Sequence, residues 1–104
     1  MHKENPVDAH FAVIDNKIQL TGALNFDTVP ALKQAFLKHI HQAPEWRVDL
    51  EGVSFSDSSG IALLLDYLSL ANINKKAVTF INMPKQMRAL ASATAVTEIL
   101  AIHD

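Results

Sequence analysis

Cysteine is absent from this chain. Without a thiol there is no disulfide framework to staple a small fold and no thiolate zinc site. The absence also fits a reducing compartment. Long apolar runs are missing as well. No segment approaches the roughly 20 apolar residues that a membrane helix needs. The opening stretch "MHKENPVDAH" lacks the apolar core of a signal peptide. Export and membrane insertion are not expected, and a cytoplasmic location is. Runs of one charge are missing too. Nine Lys and Arg are interspersed with eleven Asp and Glu, for a formal net charge of −2. A chain without a basic stripe offers no electrostatic footprint for nucleic acid and no patch for an anionic membrane. Neither a P-loop nor Gly-x-Gly-x-x-Gly occurs, so direct nucleotide binding has no signature.

What is present is apolar material in regular patterns. Hydrophobic residues make up 49% of the 104 positions and charged residues 19%, which excludes disorder and supports one domain with a real core. Residues 1–9 read as a loose polar lead-in. In "HFAVIDNKIQLTGAL", Phe11, Val13 and Ile14 form one apolar run. Ile18, Leu20 and Gly22 then alternate with Lys17, Gln19 and Thr21. Asp15-Asn16 between the runs accepts positive φ, so the stretch predicts a hairpin.

"NFDTVPALKQAFLKHIHQA" predicts a helix. Asp27 or Thr28 can cap it, and Pro30 falls in the first turn, where a missing N–H does no harm. Val29, Leu32, Phe36 and Ile40 recur at helical spacing, and Pro44 stops the pattern. "WRVDLEGV" predicts a strand with Val48 and Leu50 on one face. After "FSDSSGIALLL" and the apolar residues that follow it come a strand at "AVTFIN", a helix at "MPKQMRALASA" with Pro84 in its first turn, and a short last helix at "AVTEILAI". Met83 and Met87 read as core residues. The order β-β-α-β-α-β-α, with one further helix, predicts an α/β domain: a mixed sheet of about four strands with helices packed on it.

"FSDSSGIALLL" carries the chemistry. Asp57 and Ser58 are both good helix N-caps. Gly60 is harder to explain, since glycine in a helix costs about 1 kcal/mol relative to alanine. In the first turn it lets another group approach the backbone. The N-terminus of a helix favours negative charge, so a phosphate on Ser58 or Ser59 would be tolerated there and would change the surface beside Asp57. Beyond Gly60, Ile61, Leu64, Leu65, Leu68 and Ala71 form one stripe, which Leu63, Tyr67 and Leu70 widen. That is more apolar surface than one core-facing stripe needs. Either the helix is central or a partner covers a second face, and cover by a partner is expected. Asp66 and Tyr67 are expected at the helix's wet edge.

Catalysis and metal binding find no constellation. Neither Gly-x-Ser-x-Gly nor Ser-x-x-Lys is present. His39 and His41 are two apart and point to different helix faces, so a metal pair is not expected and both read as solvated helix-end residues. No cofactor is expected.

The succession "RVDLEGVSFSDSSGIALLL" resembles the STAS domain, whose mark is a strand, a short loop, Asp-Ser-Ser/Thr-Gly and an apolar helix. "LTGALNFDTVPAL" is similar to that family's second strand, loop and first helix. The likeness runs from about Phe11 to Leu100 and implies a single STAS domain over residues 1–104. Two branches are implied. "DSSG" is similar to the anti-sigma factor antagonists, in which a partner kinase phosphorylates the hydroxyl after the Asp, here Ser58. "GIALLLDYLSLA" resembles the STAS subunit of the bacterial lipid-asymmetry (Mla) transporter, which binds the cytoplasmic ATPase of that ABC transporter. The longer helix match favours the transporter branch. The resemblance implies a non-enzymatic protein-binding module that meets the inner membrane only through its partner. Its binding rim is Asp57, Ser58, Ser59 and Gly60, flanked by the loop holding Asn25 and Asp27.

Overall fold

The computed structural model describes residues 8–100. The described elements run β1 (Ala9–Ile14), β2 (Lys17–Leu24), α1 (Val29–His39), a 3-10 turn (Ile40–Gln42), β3 (Glu45–Ser56), α2 (Ser58–Ile73), β4 (Ala77–Ile81), α3 (Lys85–Ala93) and α4 (Thr97–Leu100). The strands form one sheet in the order β1-β2-β3-β4. β1 pairs antiparallel with β2, while β2–β3 and β3–β4 are parallel. The expected mixed four-stranded sheet is therefore present, in the expected order of elements. Most of the lead-in expected at residues 1–9 lies outside the described residues. Its last residue, Ala9, already belongs to β1 opposite Gly22.

The hairpin forms as the alternation predicts. Asp15 takes φ 57° at the turn. Gly22, at φ 90°, lets β1 begin against it: a side chain there would collide with the backbone of Asp8 and Ala9.

Side chains alternate across the sheet. Ile18, Val48 and Phe80 lie side by side on the buried face. Lys17, Arg47 and Thr79 lie side by side on the other face and keep solvent contact. β3 is longer than the strand read from its sequence, because it continues through Phe55 and Ser56. Its register against β2 slips twice, between Gln19 and Thr21 and between Gly22 and Ala23. Each slip adds a β3 residue and breaks the alternation. A period-2 reading therefore loses the strand after Val53.

The core centres on aromatic contacts. Phe36 lies 4.4 Å from Tyr67 and 6.2 Å, edge-on, from Trp46, between ring centroids. Full burial of such a side chain contributes about 1.5–3 kcal/mol. Their polar ends are satisfied: Trp46 Nε1 donates to Ile40 O at 3.1 Å, and Tyr67 Oη donates to Leu32 O at 2.7 Å. Tyr67 is thus a fully buried core residue, not part of a wet edge. Asp66 alone remains there, 3.7 Å from Lys33 Nζ. His39 also departs from the solvated reading: it is half-buried, with its ring 5.5 Å from Phe11 and Nδ1 2.8 Å from Ala35 O. Met83 and Met87 are core residues, as expected. Pro84 precedes α3 as its cap rather than standing in its first turn.

α2 is the central helix. It packs against α1, α3, α4, β3 and β4, and Ile61, Leu63, Leu64, Tyr67 and Ala71 are buried. These neighbours absorb the surplus apolar surface that the sequence suggested a partner would cover. Of its large apolar residues only Ile73, at the far end, is strongly exposed, at 74%.

Candidate functional site

Two strand-to-helix junctions meet at one end of the sheet. The first joins β3 to α2. Asp57 sits between them in extended backbone and caps the helix, with Oδ1 accepting from Ser59 N at 2.7 Å. The Asp57 amide donates to Leu24 O at 3.0 Å, which ties this junction to the end of β2. Asp57 rather than Ser58 is therefore the cap. Ser58 is the first residue of the helix, exposed, and its hydroxyl makes no hydrogen bond among the described residues.

The second junction joins β2 to α1. Neither Asp27 nor Thr28 caps α1 in the expected way. Asn25 does the accepting: its Oδ1 takes the amides of Asp27 at 2.9 Å and Thr28 at 3.0 Å. Its carbonyl takes those of Thr28 and Val29. Thr28 Oγ1 accepts from Asn25 N at 2.9 Å and donates to Ala23 O at 2.8 Å. This reciprocal pairing has the logic of a capping box and holds a rigid loop. Asp27 is left exposed.

Gly60 does not belong to the exposed rim. It is buried, and a side chain there would collide with Ser56 Oγ and lie 2.8 Å from Leu24 Cβ. The close approach that its glycine permits is that of the chain's own β2 and β3, not that of a ligand.

The surface between the junctions is apolar. Phe26, Val29, Pro30, Ser59 and Ala62 line a shallow hollow of about 250 Å³, and none of them is titratable. Phe26 is 80% exposed at its edge. Phe55, 50% exposed, lies opposite Ala23 on the neighbouring strand pair. Phe26 escaped the sequence reading, although it had a signal: it is a large apolar residue in a polar loop, outside the Val29–Leu32–Phe36 stripe. Of the expected rim, the structure brings together Asp57, Ser58, Ser59, Asn25 and Asp27. It removes Gly60 from the surface and adds Phe26.

A second hollow, of about 250 Å³, lies on the open sheet face against Gln19, Thr21, Asp49, Glu51 and Gly52. Asp49 is nearly buried there. Burial raises its pKa, but the amide of Glu51, the side chain of Asn82 and the Lys17 ammonium at 3.2 Å outweigh that and hold it below the ordinary value. Its oxygens are already committed to these partners.

Comparison with known proteins gives a consistent result. The family model described as "Mlab, STAS domain" matches residues 8–101. An anti-sigma factor antagonist from Mycobacterium paratuberculosis superposes with a TM-score of 0.76 at 18% identity, covering 91% of this chain and 83% of that one. The unphosphorylated anti-sigma factor antagonist SpoIIAA gives 0.66 at 17% identity, covering 92% and 99%. The murine solute carrier 26 family member A9 anion transporter, inward-facing, gives 0.66 at 22% identity; the match covers 82% of this chain and 15% of the transporter. These likenesses carry the fold. No curated protein matches. No described helix is long and apolar enough to cross a membrane.

Proposed function

The chain belongs to the STAS domain family, in the group described as "Mlab, STAS domain", and we propose that it works by docking on the ATPase subunit of an Mla-type ABC transporter. It holds that subunit and adjusts its ATP turnover in phospholipid trafficking, and catalyses nothing itself. Its place is the cytoplasmic side of the inner membrane, reached only through the ATPase. The observation that carries the docking surface is Phe26, a largely exposed aromatic beside an apolar hollow formed with Ser59 and Ala62. Exposed aromatics next to apolar hollows are typical anchors of protein interfaces. The capped loop and the capped helix on either side keep that anchor in place, which lowers the cost of ordering it on binding.

The test is affinity purification from native cells, followed by titration of the purified ATPase. The expected result is recovery of the ATPase, with binding weakened by Phe26→Ala and by Ser58→Glu at unchanged thermal stability. Recovery of an anti-sigma kinase without any transporter subunit overturns this reading.

One observation favours the antagonist reading as the alternative. The Ser58 hydroxyl is exposed and uncommitted at the first position of α2, where the unpaired amides and the helix dipole favour a phosphate. Phosphate found on Ser58 in protein isolated together with a kinase would establish it.

A further inference from the structure

β4 ends too early to finish the sheet. Its pairing with β3 stops at Asp49–Ile81, whereas β3 runs on to Ser56. β2 still pairs with this end of β3, but the side that β4 would cover is open. Backbone groups facing it are left unpaired, and partly buried ones are costly. At Ser56 a side chain replaces the missing strand. The Ser56 amide donates to Gln86 Oε1 at 2.9 Å, and Gln86 Nε2 donates to the Ser56 carbonyl at 2.7 Å. Gln86 stands in the first turn of α3, 30 residues away in sequence. Its amide thus meets a backbone N–H and C=O as a neighbouring strand would.

Ser56 in turn sets the candidate rim. Its hydroxyl donates to Asp57 O at 2.8 Å and lies against Gly60. Asp57 O also accepts the Gly60 amide, and Asp57 Oδ1 accepts that of Ser59. We propose that Gln86 is a positioning residue: through Ser56 it holds the Asp57–Ser59 rim in its docking geometry and so couples α3 to partner binding. The proposal rests on the docking reading above, but its first test does not need the partner's identity.

The first measurement is amide exchange by NMR on the isolated domain. Gln86→Ala removes both hydrogen bonds to Ser56. It should lower protection of the Ser59 and Gly60 amides about tenfold, a part of what two hydrogen bonds contribute, while the Tyr67 amide in mid-α2 keeps its protection. Gln86→Glu should not rescue, because a carboxylate cannot donate to the Ser56 carbonyl. The second measurement is affinity for the partner recovered from native cells. Gln86→Ala should weaken it about tenfold or more. Leu90→Ala, a partly buried change on the same helix, should bind as wild type even where its stability falls further. Unchanged protection at Ser59 and Gly60 would overturn the proposal whatever the partner. Lowered protection with unchanged affinity would overturn the positioning role and leave Gln86 purely structural. Recovery of a kinase instead of an ATPase would overturn the transporter reading alone, and Gln86→Ala is then measured against that kinase.

Discussion

Gly60 in the first turn of α2 lies directly against Ser56 at the end of β3, so that any side chain at 60 would enter the space of the Ser56 hydroxyl. Helix propensity and packing therefore make opposite demands. Alanine is the better helix former by about 1 kcal/mol, yet its Cβ would lie 2.8 Å from Leu24 Cβ and 3.1 Å from Ser56 Cβ. A serine hydroxyl can rotate away, but those two Cβ atoms can move only with their strands. Overpacking costs about 1–3 kcal/mol. Set against the helix-propensity gain, this leaves Gly60→Ala destabilising the domain by up to about 2 kcal/mol, read as a lower urea midpoint at unchanged slope. An increase in stability would show that the strands yield freely.

Capping separates two neighbouring residues that look alike in sequence. Asp57→Ala removes the acceptor of the Ser59 amide and should cost about 1 kcal/mol. Ser58→Ala removes an exposed hydroxyl with no partner among the described residues and should change stability by less than about 0.5 kcal/mol. Thermal unfolding of the two variants side by side checks the assignment.

The single tyrosine of the chain, Tyr67, gives an alkaline signature. Burial pushes its phenol well above the ordinary value near 10. Above about pH 10 the unfolded chain releases this proton while the folded chain retains it. The folded state then binds more protons, so stability falls as pH rises, by up to about 1.4 kcal/mol per pH unit. Tyr67→Phe should lose about 1 kcal/mol at neutral pH with its hydrogen bond to Leu32. It should also show a shallower alkaline decline than wild type. Parallel declines would contradict the burial of this phenol.

Asp49 gives the corresponding signature in acid. Its pKa lies below the ordinary carboxylate value in the folded state, so at low pH the unfolded chain binds the proton first. Its contribution is complete above about pH 4 and is lost as pH falls through the folded value. Asp49→Asn should cost about 1–2 kcal/mol at pH 7, with the gap to wild type closing below about pH 4. Denaturant titrations of both proteins at a series of pH values measure the gap directly.

Local patterns carried much of this molecule. Alternation at Ile18 and Leu20, the 3.6-residue spacing of Leu32 and Phe36, Pro30 at the start of α1 and Asp57 before α2 each act within a few residues. Each is legible without a fold, and together they determined the order of strands and helices and the STAS resemblance. Tertiary structure decided what depends on residues far apart. Tyr67 is buried because Leu32, 35 positions away, accepts its hydroxyl and Phe36 covers its ring. Gly60 is required because β2 and β3 press on it. β3 outruns its sequence pattern because its register against β2 slips twice. Asn25 displaces Asp27 and Thr28 as the acceptor because Thr28 is held by Ala23 at the end of β2. The Gln86–Ser56 pairing had no counterpart in any local pattern: a glutamine in the first turn of a helix reads as solvated until the fold brings within its reach a strand end that lacks a neighbour on its β4 side.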